Sequence, residues 1–115
     1  MLKYNLSQLD NISKKILLKL SETDCIFLSG ELGSGKTTFA RSLIHQLQEK
    51  NKEIEQLGIF EDSKNVITII EWSEKMEKKN ENRLEITFYY ESSAEKRRIK
   101  LQGFGKWKNF KLNAI

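Results

Sequence analysis

The chain has 115 residues, 38% hydrophobic and 31% charged, with one cysteine, no proline and a formal net charge of +4. That length suits a single domain over residues 1–115, able to bury about two-thirds of its unfolded surface without staples, and a lone cysteine excludes an internal disulfide. No apolar run approaches membrane length, and MLKYNLSQLD carries an acid where a signal peptide would be apolar, so a cytoplasmic protein is expected.

Lys3 to Leu6 is predicted as a short strand. Ser7 and Asp10 have capping-box spacing, and Leu9, Ile12, Ile16 and Leu20 then form one face of a helix. Cys25, Ile26, Phe27 and Leu28 form the short continuous apolar run of a buried parallel strand, with Cys25 as a small core residue. GELGSGKT follows at residues 30–37, and Phe39, Ala40, Leu43, Ile44 and Leu47 then repeat at helical spacing. Leu43, Leu47, Ile54 and Leu57 keep that phase, so one helix can continue through QEKNKEIEQ. His45 lies on this helix with no partner at motif spacing and is expected at the surface.

Val66 to Ile70 is a second buried-strand candidate, ending at Glu71 and Trp72. Leu84, Ile86, Phe88 and Tyr90 alternate with Glu85, Thr87 and Tyr89, and Arg98 and Lys100 alternate with Ile99 and Leu101. These two runs predict an antiparallel hairpin through Glu91 to Lys96. Buried strands separated by helices imply right-handed parallel crossovers. The expected architecture is therefore α/β, a P-loop NTPase-like mixed sheet with a parallel core, a C-terminal antiparallel hairpin and flanking helices.

The glycine loop carries the clearest chemistry. Its pattern is G-x-x-x-x-G-K-[ST], set between a strand and a helix as a phosphate-binding loop requires. Gly30, Gly33 and Gly35 permit torsions and close approaches that a β-carbon forbids, so successive N–H groups, including that of Ser34, can point at phosphate oxygens. The helix dipole adds positive potential, Lys36 can reach the outer phosphates of ATP, and the Thr37 hydroxyl is placed to ligate Mg2+, with Thr38 beside it. Glu71, at the carboxyl end of a buried strand, stands on the edge where open α/β sheets bind ligands, and beside such a loop it would hold Mg2+ or its waters. The alternative for Glu71 is a surface acid that ends its strand; Trp72 either shields the site or meets a partner, or is a packed aromatic at a strand end.

Charge is unevenly spread. Residues 96–115 hold seven basic side chains and no acid, whereas the first 95 residues hold 13 basic and 16 acidic side chains. Phe104, Trp107 and Phe110 interleave with Lys106, Lys108 and Lys111, a combination that could stack on and neutralise single-stranded nucleic acid. The simpler reading is a solvated strand face and rings that pack on the core.

GELGSGKTTFAR followed later by NVITIIEW resembles the bacterial TsaE (YjeE) family, small P-loop ATPases of transfer RNA threonylcarbamoyladenosine (t6A) formation. EIEQLGIFED is similar to that family's helix ending in a leucine–glycine pair, here Leu57 and Gly58, and RLEITFYYESSAEKRRIKLQGFG to its closing hairpin. The resemblance implies that Gly33 to Thr38 bind ATP phosphates, that Thr37 and Glu71 hold magnesium, and that the partners are TsaD and TsaB, with tRNA contact through the basic segment 96–115. It also exposes a departure. Between the P-loop helix and the leucine–glycine pair the family has further residues, including a Ser-Pro-Thr-aromatic segment and a His-x-Asp-Leu-Tyr-Arg segment, and neither stands in this sequence. The family places there the groups that sense the terminal phosphate and position the attacking water. The expectation is therefore nucleotide binding with hydrolysis weak or lost, and the catalytic residue is left unassigned; Glu61 and Asp62 are the first substitutes to test.

Two other functions fit the residues. A small P-loop kinase or other NTPase would need an Arg-rich lid segment or an acidic partner beyond Glu71, and neither is visible. A basic nucleic-acid-binding module would keep a salt-dependent RNA affinity without Lys36.

Overall fold

A computed structural model describes residues 2–20, 24–31, 33–56, 68–71, 81–93 and 95–112, with backbone alone for 50–56 and 68–71. Val66 and Ile67 of the predicted Val66–Ile70 strand, the Leu57–Gly58 pair, Glu61, Asp62 and Trp72 lie outside the described residues.

The elements run β1 (Leu2–Asn5), α1 (Leu9–Lys19), β2 (Cys25–Gly30), α2 (Lys36–Gln56), β3 (Thr68–Glu71), β4 (Arg83–Tyr89) and β5 (Lys96–Phe104), with short 3-10 turns at Leu6–Gln8 and Gly105–Trp107. They form one mixed sheet in the order β1-β5-β4-β2-β3. β2 runs parallel to both neighbours, β3 and β4, while β5 is antiparallel to β4 and to β1. The parallel centre and the antiparallel hairpin are those the alternation predicts.

Strand β2 is buried on both faces, as its unbroken apolar run requires: Cys25, Ile26, Phe27 and Leu28 are each at most 1% exposed. In β4 only alternate residues, Leu84, Ile86 and Phe88, are buried, because that strand has one core face. Those three join Ile26, Leu28, Ile99 and Tyr4 from the sheet and Ile12, Ile16, Phe39 and Leu43 from the helices in one core. Burial of the Cys25 thiol pushes its pKa up, as expected for a packed, unreactive cysteine.

One helical detail differs from the expectation. The Ser7–Asp10 capping box is not formed. The chain instead enters α1 through a 3-10 turn, and the box shifts two residues earlier, with the Asn5 N–H donating to Gln8 Oε1 at 2.7 Å. Asp10 is thereby released to accept a 2.7 Å hydrogen bond from Ser42 Oγ on α2, whose oxygen also lies 2.8 Å from Ser13 Oγ. This buried polar link fixes α1 against α2. The continuous helical phase is realised: α2 is a single helix of 21 residues, so the backbone of the P-loop helix runs without a break to Gln56.

The basic C-terminal segment closes the other end of the core. Trp107 is fully buried, Phe110 meets it edge-on at 5.0 Å, and the Arg83 guanidinium lies 3.6 Å from the Phe104 ring centre. Packing therefore engages all three rings of the segment.

Candidate nucleotide-binding site

The loop sits where β2 ends and α2 begins. Gly30 closes the strand at φ 143°, and a β-carbon there would meet the Phe88 carbonyl oxygen at 2.4 Å, so only glycine lets the chain leave the sheet against β4. Gly33 and Gly35 also have positive φ, 80° and 103°. The Ser34 N–H donates to the Glu31 carbonyl at 3.1 Å and tightens the turn. Ser34 itself is 2% exposed, and its Oγ has no hydrogen-bond partner.

Lys36 opens α2 and folds back over the loop, donating from Nζ to the Gly30 carbonyl at 2.7 Å. The ammonium thus closes the ring of the cradle from inside. Thr37 and Thr38 are exposed on the first turn, with Thr37 free of the core to offer its hydroxyl to a cation. No acidic residue stands in that turn. A helix normally places acids at its N-terminus and bases at its C-terminus, so a long helix that begins with lysine and lacks a first-turn acid is arranged for an external anion.

What holds the loop in place is the next turn. Phe39 is fully buried and meets Phe88 of β4 at 5.2 Å and Tyr4 of β1 at 6.4 Å, both edge-on. Its N–H donates to the Gly35 carbonyl at 3.0 Å, so the aromatic anchor is one hydrogen bond from the cradle. Rigid support of this kind lets a loop offer preformed N–H groups.

On the opposite flank from β4, β3 pairs with β2 in parallel register, bringing the Glu71 backbone level with Leu28 and two residues short of Gly30. The fold thus sets Gly30, Gly33, Ser34, Gly35, Lys36, Thr37 and Thr38 in one cradle and brings the Glu71 position to the same sheet edge. A hydroxyl from Thr37 and a carboxylate from position 71 are hard oxygen donors of the type that suits Mg2+. His45 is exposed on α2, away from this edge, as expected.

The sequence reading missed Arg97. It lies on β5, opposite Tyr4 of β1, with its Cδ and Nε against Gly35. Alternation of Arg98 and Lys100 with Ile99 and Leu101 describes the strand correctly. Carried one residue back, the same alternation puts Arg97 on the inward face.

This fold and loop define a P-loop NTPase fold of the mixed-sheet kind. Over 93% of its length the chain superposes on 88% of a crystal structure of YdiB from Bacillus subtilis, with a TM-score of 0.62 and 20% sequence identity. Residues 4–52 match the sequence model of the family described as "Threonylcarbamoyl adenosine biosynthesis protein TsaE". Over that stretch, from β1 to within α2, the chain is similar to the TsaE family. A search of curated proteins gives no match.

Proposed function

We propose that the protein is the ATP- and Mg2+-binding component of the t6A modification machinery, working beside TsaD and TsaB, and that it hydrolyses ATP weakly or not at all. The similarity of residues 4–52 to the TsaE family supports the role in t6A biosynthesis. The observation that carries nucleotide binding is the cradle itself: glycines at positive φ, Lys36 folded onto Gly30 and an acid-free helix start, all anchored by Phe39.

Binding and catalysis make different demands. Phosphate affinity needs the loop amides, Lys36 and the metal, whereas phosphoryl transfer also needs a group that orients the attacking water in line. The family match ends at residue 52, within an α2 whose backbone continues to Gln56, where the resemblance places additional switch segments in relatives. The acids at this edge are Glu31 within the loop and Glu71 at the end of β3, and the resemblance gives neither the task of orienting the water. Exposed Lys96, Lys100, Lys108 and Lys111 leave tRNA contact to backbone phosphates, since the rings of that segment are engaged in packing.

Calorimetry tests the reading. ATP with Mg2+ should bind the parent with affinity on the order of micromolar, and Lys36→Ala should weaken it by about 1–3 kcal/mol through loss of charge-assisted contacts. Phosphate release, measured with and without TsaD and TsaB, should not exceed a Lys36→Ala blank. No nucleotide heat in the parent would remove the binding function, and release clearly above the blank would show a working catalytic group.

A further inference from the structure

Arg97 is an inward-facing cation on the helix side of the sheet, sharing the face of Ile99 and standing opposite the buried Tyr4. Its Nη1 is held by two carbonyls, Ser93 and Lys96, each at 3.2 Å. Its Nε is buried and has no acceptor, and no carboxylate among the described residues pairs with it. A β-carbon on Gly35 would stand 2.9 Å from that Nε and 3.1 Å from Cδ, so glycine at this loop position makes room for the arginine. The guanidinium also lies near enough to Tyr4 to pull the phenol's pKa down, against the larger upward push of burial that carries it to about 12.

Left alone, this placement is unfavourable. The buried Nε–H loses hydration without gaining an acceptor, and Arg97 packs against Gly35, next to the positive end of α2. The buried Ser34 Oγ, also without a partner, lies in the same loop. Two unmet polar groups and a lysine around one glycine turn are resolved together by an anion that accepts from all of them.

We propose that Arg97 is a phosphate-binding residue of this site and contacts the sugar-proximal phosphate of a bound nucleoside di- or triphosphate. The assignment rests on the nucleotide reading of the loop. The choice of phosphate follows from the sheet order: Glu71 on β3 lies on one side of β2, and Arg97 on β5 lies on the other, beyond β4. If Glu71 holds Mg2+ on the outer phosphates, those would belong on the Glu71 flank and the inner phosphate would face Arg97.

The test compares the parent, Arg97→Met and Arg97→Lys by calorimetry with ATP and ADP, in Mg2+ and in EDTA, alongside thermal unfolding without ligand. Arg97→Met should weaken ATP and ADP equally, by about 10- to 100-fold, with the same loss in EDTA as in Mg2+. Arg97→Lys should fall between, and ligand-free Arg97→Met should melt no lower than the parent. Unchanged affinities, or a loss seen only with Mg2+, would overturn the assignment. If Arg97→Met fails to fold, parent-like affinity in Arg97→Lys overturns it and an intermediate loss supports it. If the parent binds no nucleotide, titration with inorganic pyrophosphate separates the two readings: Arg97-dependent binding keeps the anion contact, and no binding ends both.

Discussion

The two ends of the parallel strands are built on opposite principles. At the amino end of β2, Asp24 is 1% exposed and ion-paired with Lys106 Nζ, which also donates to the Lys19 carbonyl at 3.0 Å and lies 5.6 Å from the Trp107 ring centre. Asn82 adds to this closure, accepting from the Lys106 N–H at 2.9 Å while its carbonyl receives the Cys25 N–H at 3.3 Å. The buried charges and most of the polar atoms there have partners within the chain, Trp107 Nε1 excepted. At the carboxyl end, the Ser34 hydroxyl and Arg97 Nε have none, and Lys36 is satisfied by a loop carbonyl that a ligand could replace. The first end stabilises the fold. The second keeps polar groups unmet in the place where a ligand would meet them, as expected of a binding site.

That contrast predicts a separation between stability and binding. The largest effect should come from Trp107→Ala, which empties the sealed end and should cost about 3–5 kcal/mol of folding stability in denaturant titration. ATP affinity, measured where the variant is still folded, should stay within about twofold of the parent, because Trp107 lies at the far end of the strands. Next, Lys106→Met keeps the aliphatic stem but leaves the Asp24 carboxylate buried without its cation, and stability should fall by about 3 kcal/mol. Because Lys106 is partly exposed, water enters more readily on its side, and Lys106→Met should cost more than Asp24→Asn. A large change in nucleotide affinity in either variant would break the comparison.

At the ligand end the order reverses. Glu71→Gln is nearly isosteric and should leave unfolding unchanged while shrinking the difference in ATP affinity between Mg2+ and EDTA by about tenfold. An unchanged difference would return Glu71 to the role of strand terminator. The smallest effect concerns Tyr4. Burial pushes its folded pKa up to about 12, above the ordinary phenol value of 10.0, so the folded state keeps the phenol proton after the unfolded chain begins to lose it. This contribution to stability is complete below about pH 10 and is lost as the pH rises toward 12. Tyr4→Phe should flatten that part of the stability profile, and a profile identical to the parent's would remove Tyr4 as the titrating group.

Much of this was legible in the chain. CIFL announced a strand buried on both faces because no polar residue interrupts it, and the alternation from Leu84 to Phe88 announced one with a single core face. The phosphate loop could be read because its chemistry is local: three glycines, a lysine and a threonine within eight residues fix both the backbone path and the groups it offers. The long α2 was visible in the phase shared by Leu43, Leu47 and Ile54.

Tertiary structure decided what depends on partners distant in sequence. The cap of α1 moved to Asn5 and Gln8 because Asp10 has a stronger use, accepting from Ser42 across the helix pair, and no local pattern reports that competition. Lys106 looked like one cation in a basic tail until the fold set it on buried Asp24, 82 positions away in the chain. Arg97 lies 62 positions beyond Gly35, and only the pairing of β5 with β1 and β4 brings its guanidinium under the loop. The sequence determined the cradle, since neighbouring backbone torsions and side chains suffice to build it. The sheet determined which distant charges are neutralised and which are left facing the cradle, since strand order alone sets those distances.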